Sequence, residues 1–417
     1  MIRDPYLPGM ASDLDFEIGR SLFERNWVPA PASTQSADGL GPLFNAKSCA
    51  ACHPGGGRSI LQAEYGDDSP GRVVRLGGGK TGTSQPDPVY GEQLQTGAVP
   101  GFAAEAEIKI RYFDTEYLLA DDTVVNLRRP HLRITRLAAG PLAPATRTSL
   151  RLAPAIQGIG ALNAVPVAEI LKNADPNDAN ADGIRGRPNW IDDPKTNGHR
   201  LGRFGWKASQ PSLSAQDAHA LFADIGLSNP LYDDPAGDCT PREIACRAAS
   251  NGASPQFENL EVPSELLAAI DHFVSEAVLP PLPKADPVAV ARGKDQFAAA
   301  GCPACHRPTF ELLVDDGQPW GQIAPYTDLL LHDMGDGLAD GMADGSARGS
   351  DWRTAPLWGL GWAVDAKGEG ALLHDGRARS ILEAVLWHGG EAEAARNKVI
   401  AMSTAERAAL VAFLKSL

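Results

Sequence analysis

Apolar side chains recur at helical spacing in three segments of the chain. The first segment, SDLDFEIGRSLFERNWV, has a predicted apolar face made of Leu14, Ile18, Leu22 and Phe23. The second, DPVAVARGKDQFAAA, has a predicted apolar face made of Val288, Ala291 and Phe297. The third is STAERAALVAFLKSL at the C-terminus, where Ser403 and Glu406 have the spacing of a capping box and predict a closing helix.

The section between these helices, roughly residues 130 to 285, has a mixed pattern. TVVNLRRPHLRITRL is strand-like, and short helical pieces and many turns make up the rest. The chain contains 43 Gly and 33 Pro, so we expect long ordered loops. A predicted helix in PSELLAAIDHFVSEAVLPPLP ends in a proline-rich linker, which is the clearest domain boundary.

Two short motifs have the form Cys-x-x-Cys-His, one in KSCAACHPGGG and one in GCPACHRPTF. Their residues are Cys49, Cys52 and His53, then Cys302, Cys305 and His306. This pattern is typical of c-type haem attachment, in which two thiols bond to the macrocycle and the histidine binds the iron. A zinc ribbon or a thioredoxin-like pair is the alternative, but neither requires a histidine at that position. The sequence therefore predicts two covalently bound haem c groups.

Composition limits the partners and the compartment. The 417 residues carry a net charge of −14, which argues against nucleic acid or an anionic membrane as a partner. No apolar run approaches the length of a membrane span, so we expect no membrane insertion. The first residues, MIRDPYLPGM, contain no secretory apolar region. Because bacteria attach haem c outside the cytoplasm, we expect a periplasmic protein whose signal peptide has been removed.

The two remaining cysteines, Cys239 and Cys246, lie in GDCTPREIACRAAS. In an oxidising compartment their proximity predicts a local disulfide bond. Two reduced, buried thiols are the alternative. Neither arrangement implies chemistry.

A possible metal loop occurs in NDANADGIRGRPN. Asp178, Asn180 and Asp182, followed by Gly183, match the first half of a calcium-binding loop. The twelfth position, where such loops have Glu, is Asn189. The segment is therefore either a Ca²⁺ site or an Asx-rich turn without metal.

The two haem motifs organise the expected fold. We predict a mainly α protein with two cytochrome c-like haem domains, long loops and an irregular middle insertion that contains some β-strand. The expected boundaries are residues 1–130 for the first haem domain, 131–285 for the middle section and 286–417 for the second haem domain. The middle section is expected to pack on the first domain.

The phrases RTAPLWGL and LLHDGRARSILEAVLWH follow the second motif. With the two haem motifs, they resemble the bacterial di-haem cytochrome c peroxidase and MauG superfamily. In that superfamily the sixth ligand of the electron-transfer haem lies fourteen positions after the histidine of His-Asp-Gly, as Met in the peroxidases and Tyr in MauG. The resemblance implies that His306 and His388 bind the second iron, with His374 near that haem. His332 or Met334 in place of His388, or no sixth ligand, stays open, and His374 could equally be a hydrogen-bonded loop residue.

Two further observations concern the same region. The helix SILEAVLWH has Ser380 as its expected cap and Glu383 in its first turn, with His388 near its end. The phrases GRFGWKA, YTDLLLHDMG and LLHDGRA resemble a MauG-related branch labelled di-haem thiol oxidoreductases. The function of that branch is poorly defined, so it adds little to the prediction.

The first haem differs from the second. No histidine occurs between His53 and His131, and no methionine between Met10 and Met334. Classical peroxidases of the superfamily supply a removable distal histidine from a nearby loop, and MauG does not. The resemblance to MauG therefore implies an open first iron, with a distant His131 as the alternative ligand.

An open iron that cleaves peroxide needs a proton-transfer group. The superfamily places Gln, Pro and Glu on the distal loop, and EQLQTGAVPGFAAEAEI offers Gln95, Pro100 and Glu105 in that order. Glu107 is the alternative carboxylate, and a solvated loop residue without a role is the competing interpretation.

The superfamily also has a Trp between the haems, but this chain has none between Trp27 and Trp190. The candidate substitutes are Tyr90, Trp206 and Trp358. The expected function is a di-haem oxidoreductase that reduces hydrogen peroxide, or uses it to oxidise a partner, with a small redox protein or a protein substrate as the other reactant. An electron-transfer cytochrome without substrate chemistry, or a haem-bearing module for metal uptake, is the alternative.

Overall fold

The computed structural model describes residues 13–59, 69–79, 84–193, 198–313, 319–364 and 367–417. Residues 1–12, on which the expectation of a removed signal peptide rests, lie outside them. The helices are α1 (Asp13–Glu24), α2 (Cys49–Cys52), α3 (Ile159–Asn163), α4 (Val167–Leu171), α5 (Leu213–Ala220), α6 (Ile244–Arg247), α7 (Ser264–Ser275), α8 (Pro287–Ala300), α9 (Ile381–Leu386), α10 (Glu393–Ala401) and α11 (Thr404–Lys415). The strands are β1 (Leu43–Phe44), β2 (Arg72–Gly77), β3 (Gln93–Leu94), β4 (Gly97–Ala98), β5 (Glu107–Leu118), β6 (Val124–Thr135), β7 (Arg147–Leu152), β8 (Trp190–Asp193), β9 (Gly198–Leu201), β10 (Phe310–Leu313), β11 (Pro319–Ile323), β12 (Leu331–Asp333) and β13 (Asp351–Arg353).

The prediction of a mainly α fold is wrong. Helices account for 29% of the chain and strands for 22%. Only four of the described helices reach twelve residues, and the Gly- and Pro-rich connections form short antiparallel strand pairs. The prediction also missed β5, although its first residues alternate between exposed and buried positions in the way a strand requires.

Two compact units make up the chain. Unit 1 contains Met1–Arg111, His131–Gly160 and Ser212–Val278, and unit 2 contains Tyr112–Pro130, Ala161–Pro211 and Leu279–Leu417. Each unit contains one Cys-x-x-Cys-His motif. The predicted middle section, residues 131–285, is therefore shared between the two units.

In unit 1, α1 crosses α7 at a glycine. A Cβ atom on Gly19 would lie 2.1 Å from the carbonyl oxygen of Ala269, so only glycine permits this approach. The rings of Phe16 and Phe23 pack on Phe273 at centroid distances of 5.1 and 5.2 Å. The buried face of α1 consists of Phe16, Gly19, Leu22 and Phe23. The predicted face is wrong at Leu14 and Ile18, which are exposed because the helix is rotated toward the Gly19 contact.

The rest of unit 1 is built on a three-stranded sheet. Its order is β3-β2-β7, and all pairings are antiparallel. Val74 in the central strand faces Leu94 on one side and Leu150 on the other, and all three are buried. This sheet fixes the position of β3, which carries Gln93.

In unit 2, α8 crosses α11 in the same way. A Cβ atom on Gly293 would lie 2.0 Å from the carbonyl oxygen of Ala409, and Phe297 packs on Phe413 at 5.3 Å. Val288 and Ala291 of the predicted apolar face are exposed, and Phe297 is buried. The capping box of Ser403 and Glu406 at the start of α11 is confirmed.

Strands β5 and β6 form a separate two-stranded hairpin. The residues at its tip belong to unit 2, where Leu119 and Leu127 form a buried cluster with Leu386. Arg128 also donates from Nε to the carbonyl of Arg377 at 2.8 Å. None of the helices in the described ranges is long and apolar enough to cross a lipid bilayer.

Candidate haem sites

The first motif lies on one helical turn. Ser48 is the N-cap of α2, and its hydroxyl accepts a hydrogen bond from the Ala51 amide at 3.2 Å. Cys49, Cys52 and His53 follow at spacings of three and four residues, which are neighbours on a helix surface. Two thiols and an imidazole therefore share one side of a short, capped turn.

Both thiols of this motif stay protonated at neutral pH. Burial raises the pKa of Cys49, and nearby Asp217 and Asp224 raise it further. Burial and Asp224 raise the pKa of Cys52 to about 12. A thioredoxin-like pair reacts through a thiolate, so this environment does not favour that alternative.

Cys49, Cys52, Cys302 and Cys305 are all free of disulfide bonds. Burial raises the pKa of Cys302 to about 11. Across the part of the chain that the structure describes, no three His, Cys, Asp or Glu side chains converge as a metal site. One cysteine pair lies in each unit.

Gln95 and Glu105 come together in unit 1. The Gln95 amide donates to Glu105 Oε2 at 2.6 Å, and the Glu105 amide donates to the Gln95 carbonyl at 3.0 Å. Glu105 is 2% exposed. Burial raises the pKa of Glu105 to about 10, and the neighbouring Glu243 adds to the shift. By contrast, Glu107 is exposed and pairs with Arg136 at 2.6 Å. The buried carboxyl group is therefore Glu105, and it carries a proton at neutral pH.

Amide hydrogen bonds connect this pair to the surroundings of the first motif. Gln95 Nε2 donates to the Ala223 carbonyl at 2.9 Å, and Gln93 Nε2 donates to Asp224 Oδ1 at 2.6 Å. Ala223 and Asp224 belong to the π-helical turn Leu221–Ile225. The Asp224 charge acts on both thiols and on His53, where it opposes the lowering of the histidine pKa by burial. Glu105 is thus connected through Gln95 and Ala223 to Asp224, whose charge acts on the motif.

In the second site, two histidines are each hydrogen-bonded to a backbone carbonyl through Nδ1, which leaves Nε2 unoccupied. Nδ1 of His306 is 2.9 Å from the Tyr326 carbonyl, and Nδ1 of His388 is 2.8 Å from the Ala384 carbonyl. Since a carbonyl only accepts, each Nδ1 is a donor and each Nε2 retains its lone pair in the neutral ring. Burial lowers the pKa of both, that of His306 to about 4, and His388 is among the groups that affect His306. Both rings are therefore neutral and available to a metal.

His332, the alternative ligand, contacts a carboxylate through each ring nitrogen. Its Nε2 is 2.8 Å from Asp328 Oδ2, and its Nδ1 is 2.8 Å from Glu391 Oε2. Burial disfavours the charged ring, yet the hydrogen bonds to the two carboxylates raise the pKa of His332 well above its ordinary value. Both nitrogens are occupied as donors, so neither has a lone pair for iron. The ring lies 3.6 Å from Cys305 Sγ, which places this ion cluster beside the second motif.

His374 lies in an aromatic cluster of unit 2. Its ring stacks on Trp352 at a centroid distance of 3.7 Å and meets the edge of Trp206 at 6.5 Å. The ammonium group of Lys207 lies 4.5 Å from the centre of the Trp352 ring. Met334, the other candidate ligand, packs against this same cluster. The cluster contains one of the three candidate substitutes for the missing Trp.

Other predicted residues lie at varied places. His131 and Pro100 are exposed. Tyr90 is fully buried, and its hydroxyl donates to the carbonyl of Gly140 at 2.5 Å. Cys239 and Cys246 form a disulfide bond.

The predicted calcium loop forms a hydrogen-bonded turn. Asp178 Oδ1 accepts from the Gly183 amide at 3.1 Å, and Asn180 Nδ2 donates to Asp182 Oδ2 at 3.0 Å. Asn189 is buried, and its amide donates to two backbone carbonyls elsewhere. These contacts are those of an Asx-rich turn, and a Ca²⁺ ion stays a prediction.

A family model described as "Di-haem oxidoreductase, putative peroxidase" matches residues 93–417, which is more than half of the chain. The chain belongs to the di-haem oxidoreductase family. No curated protein matches it. Among solved structures, hydrazine synthase from Kuenenia stuttgartiensis, pressurised with xenon, is 15% identical, with 46% of this chain and 67% of that chain covered at a TM-score of 0.26. A TM-score this low supports no argument about this di-haem oxidoreductase.

Haem is accordingly the cofactor of this di-haem oxidoreductase, and its residues fit that cofactor. The two motifs supply thiols that are free of disulfide bonds, and His306 and His388 each direct a lone pair away from a backbone hydrogen bond. The backbone carbonyl bound to Nδ1 holds each of these imidazoles in one tautomer, as is usual for metal-binding histidines.

Three carboxylates near the sites were not predicted from the sequence: Asp224, Asp328 and Glu391. Asp224 and Glu391 lie outside every motif and approach the sites only through tertiary packing. Asp328 had one signal, because it precedes His332 by four residues in YTDLLLHDMG. That spacing indicates contact in a helix, whereas His332 lies in β12.

Proposed function

We propose that this protein is a periplasmic peroxidase that carries two covalently bound haem c groups. It reduces hydrogen peroxide, or uses it to oxidise a partner protein, at the first site. His306 and His388 would hold the iron of the second haem, which would supply electrons to that site. The observation that carries the proposal is the difference between the sites. The second has two histidines with free Nε2 lone pairs, whereas among the described residues the first has only His53.

The other histidines of unit 1 support an open first site. His131 is exposed, His219 Nε2 lies 2.5 Å from Glu92 Oε1, and His272 Nε2 lies 3.5 Å from Glu276. Each is therefore solvated or beside a carboxylate. The family membership supports the class of chemistry.

When bound, a haem with an open iron position supplies the Lewis acid and the electrons that cleave a peroxide O–O bond. Glu105 is proposed to supply a proton to the departing oxygen. Because its raised pKa keeps it protonated at neutral pH, Glu105 begins as an acid. Glu243 is half-exposed and hydrogen-bonds to Glu105, so it is suited to return the proton from solvent. Reduction of one peroxide to two waters consumes two electrons and two protons.

The periplasmic location rests on two features of the chain. Cys239 and Cys246 are joined by a disulfide bond, which is typical of oxidising compartments. The Cys-x-x-Cys-His motifs are proposed to attach haem c, which bacteria complete outside the cytoplasm.

Electron paramagnetic resonance of the resting ferric protein tests the proposal. We expect one high-spin signal from the first haem and one low-spin signal from the second. Added peroxide should remove the high-spin signal. His388→Ala should convert the low-spin signal of the second haem to a high-spin one without changing the signal of the first haem. Two low-spin signals that do not respond to peroxide would instead indicate an electron carrier.

A further inference from the structure

The solvent face of the β5–β6 hairpin carries three positively charged side chains. Lys109, Arg111 and Arg133 are exposed, and none of them has an ion pair among the described residues. Along β5, residues 108 and 110 are buried while 107, 109 and 111 are exposed. The three cations therefore project from one side of the ribbon, opposite the side that packs on the protein.

Contacts at both ends fix which residues face each other. The Leu119 amide donates to the Thr123 carbonyl, and Thr135 Oγ1 donates to the Glu107 carbonyl. Counting inward from either end gives the same pairing, so Lys109 lies opposite Arg133. Arg111 then lies opposite His131. This half of the hairpin, in unit 1, thus presents three cations across both strands, and Glu107 on the same face is paired with Arg136.

The cationic group contrasts with the chain as a whole, whose net charge is −14. At physiological salt the Debye length is about 8 Å, so an approaching molecule responds to the local charges rather than to the total. Three unpaired cations on adjacent strands also repel one another. An anionic partner would relieve this repulsion.

We propose that this face of the hairpin docks an acidic partner protein that exchanges electrons with the enzyme. The identity of the partner as a redox protein rests on the proposed function, whereas the charge of its docking face follows from the hairpin. The overall negative charge disfavours extended polyanions such as membranes and nucleic acids, which would meet the acidic surface beyond the hairpin. A small protein with a local acidic patch avoids that repulsion.

Charge reversal tests the proposal on the full-length holoprotein. The variant Lys109→Glu/Arg111→Glu/Arg133→Glu is compared with Lys284→Glu/Arg292→Glu/Lys294→Glu, which changes the net charge equally at exposed sites elsewhere. The reversal keeps the open-edged hairpin charged, so protection against strand pairing between copies is retained. Circular dichroism verifies the fold of both variants.

The probe is a small acidic c-type cytochrome, with a basic cytochrome c as charge control. Binding of the oxidised acidic probe, measured by surface plasmon resonance, should weaken by about tenfold or more in the hairpin variant at low salt. It should change less than about twofold in the control variant, and the difference should shrink as salt is raised. Peroxidation of guaiacol, a small neutral reductant, should be unchanged in both variants.

Equal weakening in both triple variants would show a net-charge effect and overturn the proposal. So would probe binding that is insensitive to the hairpin variant, or hairpin-dependent binding of phosphatidylglycerol vesicles without binding of the cytochrome. Absence of guaiacol peroxidation in the wild type would refute the proposed function instead, while hairpin-dependent probe binding would still support the docking face.

Discussion

Replacing Glu105 by Gln should stabilise the protein, and the gain should grow with pH. The carboxyl group is 2% exposed, and burial raises its pKa to about 10 from an ordinary value of 4.5. Below about pH 4.5 the folded and unfolded chains both hold the proton, so the group has no effect on the free energy of unfolding. As the pH rises, the unfolded chain releases the proton while the folded protein keeps it, and stability falls until the folded pKa is reached.

The magnitude follows from the distance between the ordinary pKa and the working pH. Each pH unit costs about 1.4 kcal/mol, so roughly 2.5 units between 4.5 and neutral pH cost about 3.5 kcal/mol. Gln does not ionise in either state and therefore avoids this cost. Its amide oxygen can accept the bond from the Gln95 amide, and its NH₂ can donate to Glu243 as the protonated carboxyl group does.

Denaturant unfolding of wild type and Glu105→Gln, followed by circular dichroism from about pH 5 to about pH 8, measures this difference. The difference in unfolding free energy should rise by about 1.4 kcal/mol per pH unit. Glu107→Gln is the control, because Glu107 is exposed and should change stability by less than about 0.5 kcal/mol at any pH. A pH-independent difference for Glu105→Gln would mean that the carboxyl group ionises in the folded protein, and its proposed role as an acid would fail.

Four other outcomes are expected. Glu105→Gln should slow peroxide cleavage by about 10² to 10⁴ with a nearly unchanged resting spectrum, whereas an equal rate in stopped-flow measurements would remove its role. Cys49→Ala should leave one covalent haem where mass spectrometry of the wild type finds two, and a wild type with one would contradict the assignment. His388→Ala should leave the second iron without its sixth ligand in absorption spectra while His332→Ala keeps both ligands, and the reverse pattern would exchange their roles. Gly19→Ala should destabilise unit 1 by about 1 to 3 kcal/mol in thermal unfolding through overpacking against α7, and an unchanged midpoint would contradict the close helix contact.

Local patterns predicted the parts of the sites that depend on neighbours in sequence. The three- and four-residue spacing of Cys49, Cys52 and His53 predicts that they lie on the same side of the chain. Both cysteines lie in one helical turn, and His53 is its C-cap. Ser380 accepts from the Glu383 amide as its position predicts, and the helix it caps ends two residues before His388. Such features need no knowledge of the remaining fold.

Features that depend on distant contacts were not predictable in the same way. His332 was a reasonable iron ligand by sequence, yet Asp328 and the distant Glu391 occupy both of its ring nitrogens. The ionisation state of Glu105 likewise depends on its burial and on Glu243, a residue far along the chain. The prediction of the fold class was wrong for a related reason, because short strands are stabilised by their partner strands rather than by a sequence pattern of their own.

Both units contain the same kind of helix crossing, in which a local sequence pattern meets a distant partner helix. In α1 the sequence Gly-x-x-x-Phe places Gly19 and Phe23 one turn apart, and in α8 it places Gly293 and Phe297 at the same spacing. Their partner helices both contain Ala-x-x-x-Phe, with the alanine carbonyl 2.0–2.1 Å from where the glycine Cβ would stand. The paired Phe rings lie at 5.2 and 5.3 Å with tilts of 52° and 58°.

The two crossings agree in distance and angle although their flanking residues differ. Each crossing brings together the helix that leads into a Cys-x-x-Cys-His motif and the helix that closes the same unit. A backbone approach this close fixes the start of the motif relative to the end of its unit, so each haem site is anchored within its own unit. The Gly-x-x-x-Phe spacing before each motif was readable in the sequence, but its meaning required the partner helix, and for unit 1 that partner is α7, more than two hundred residues away.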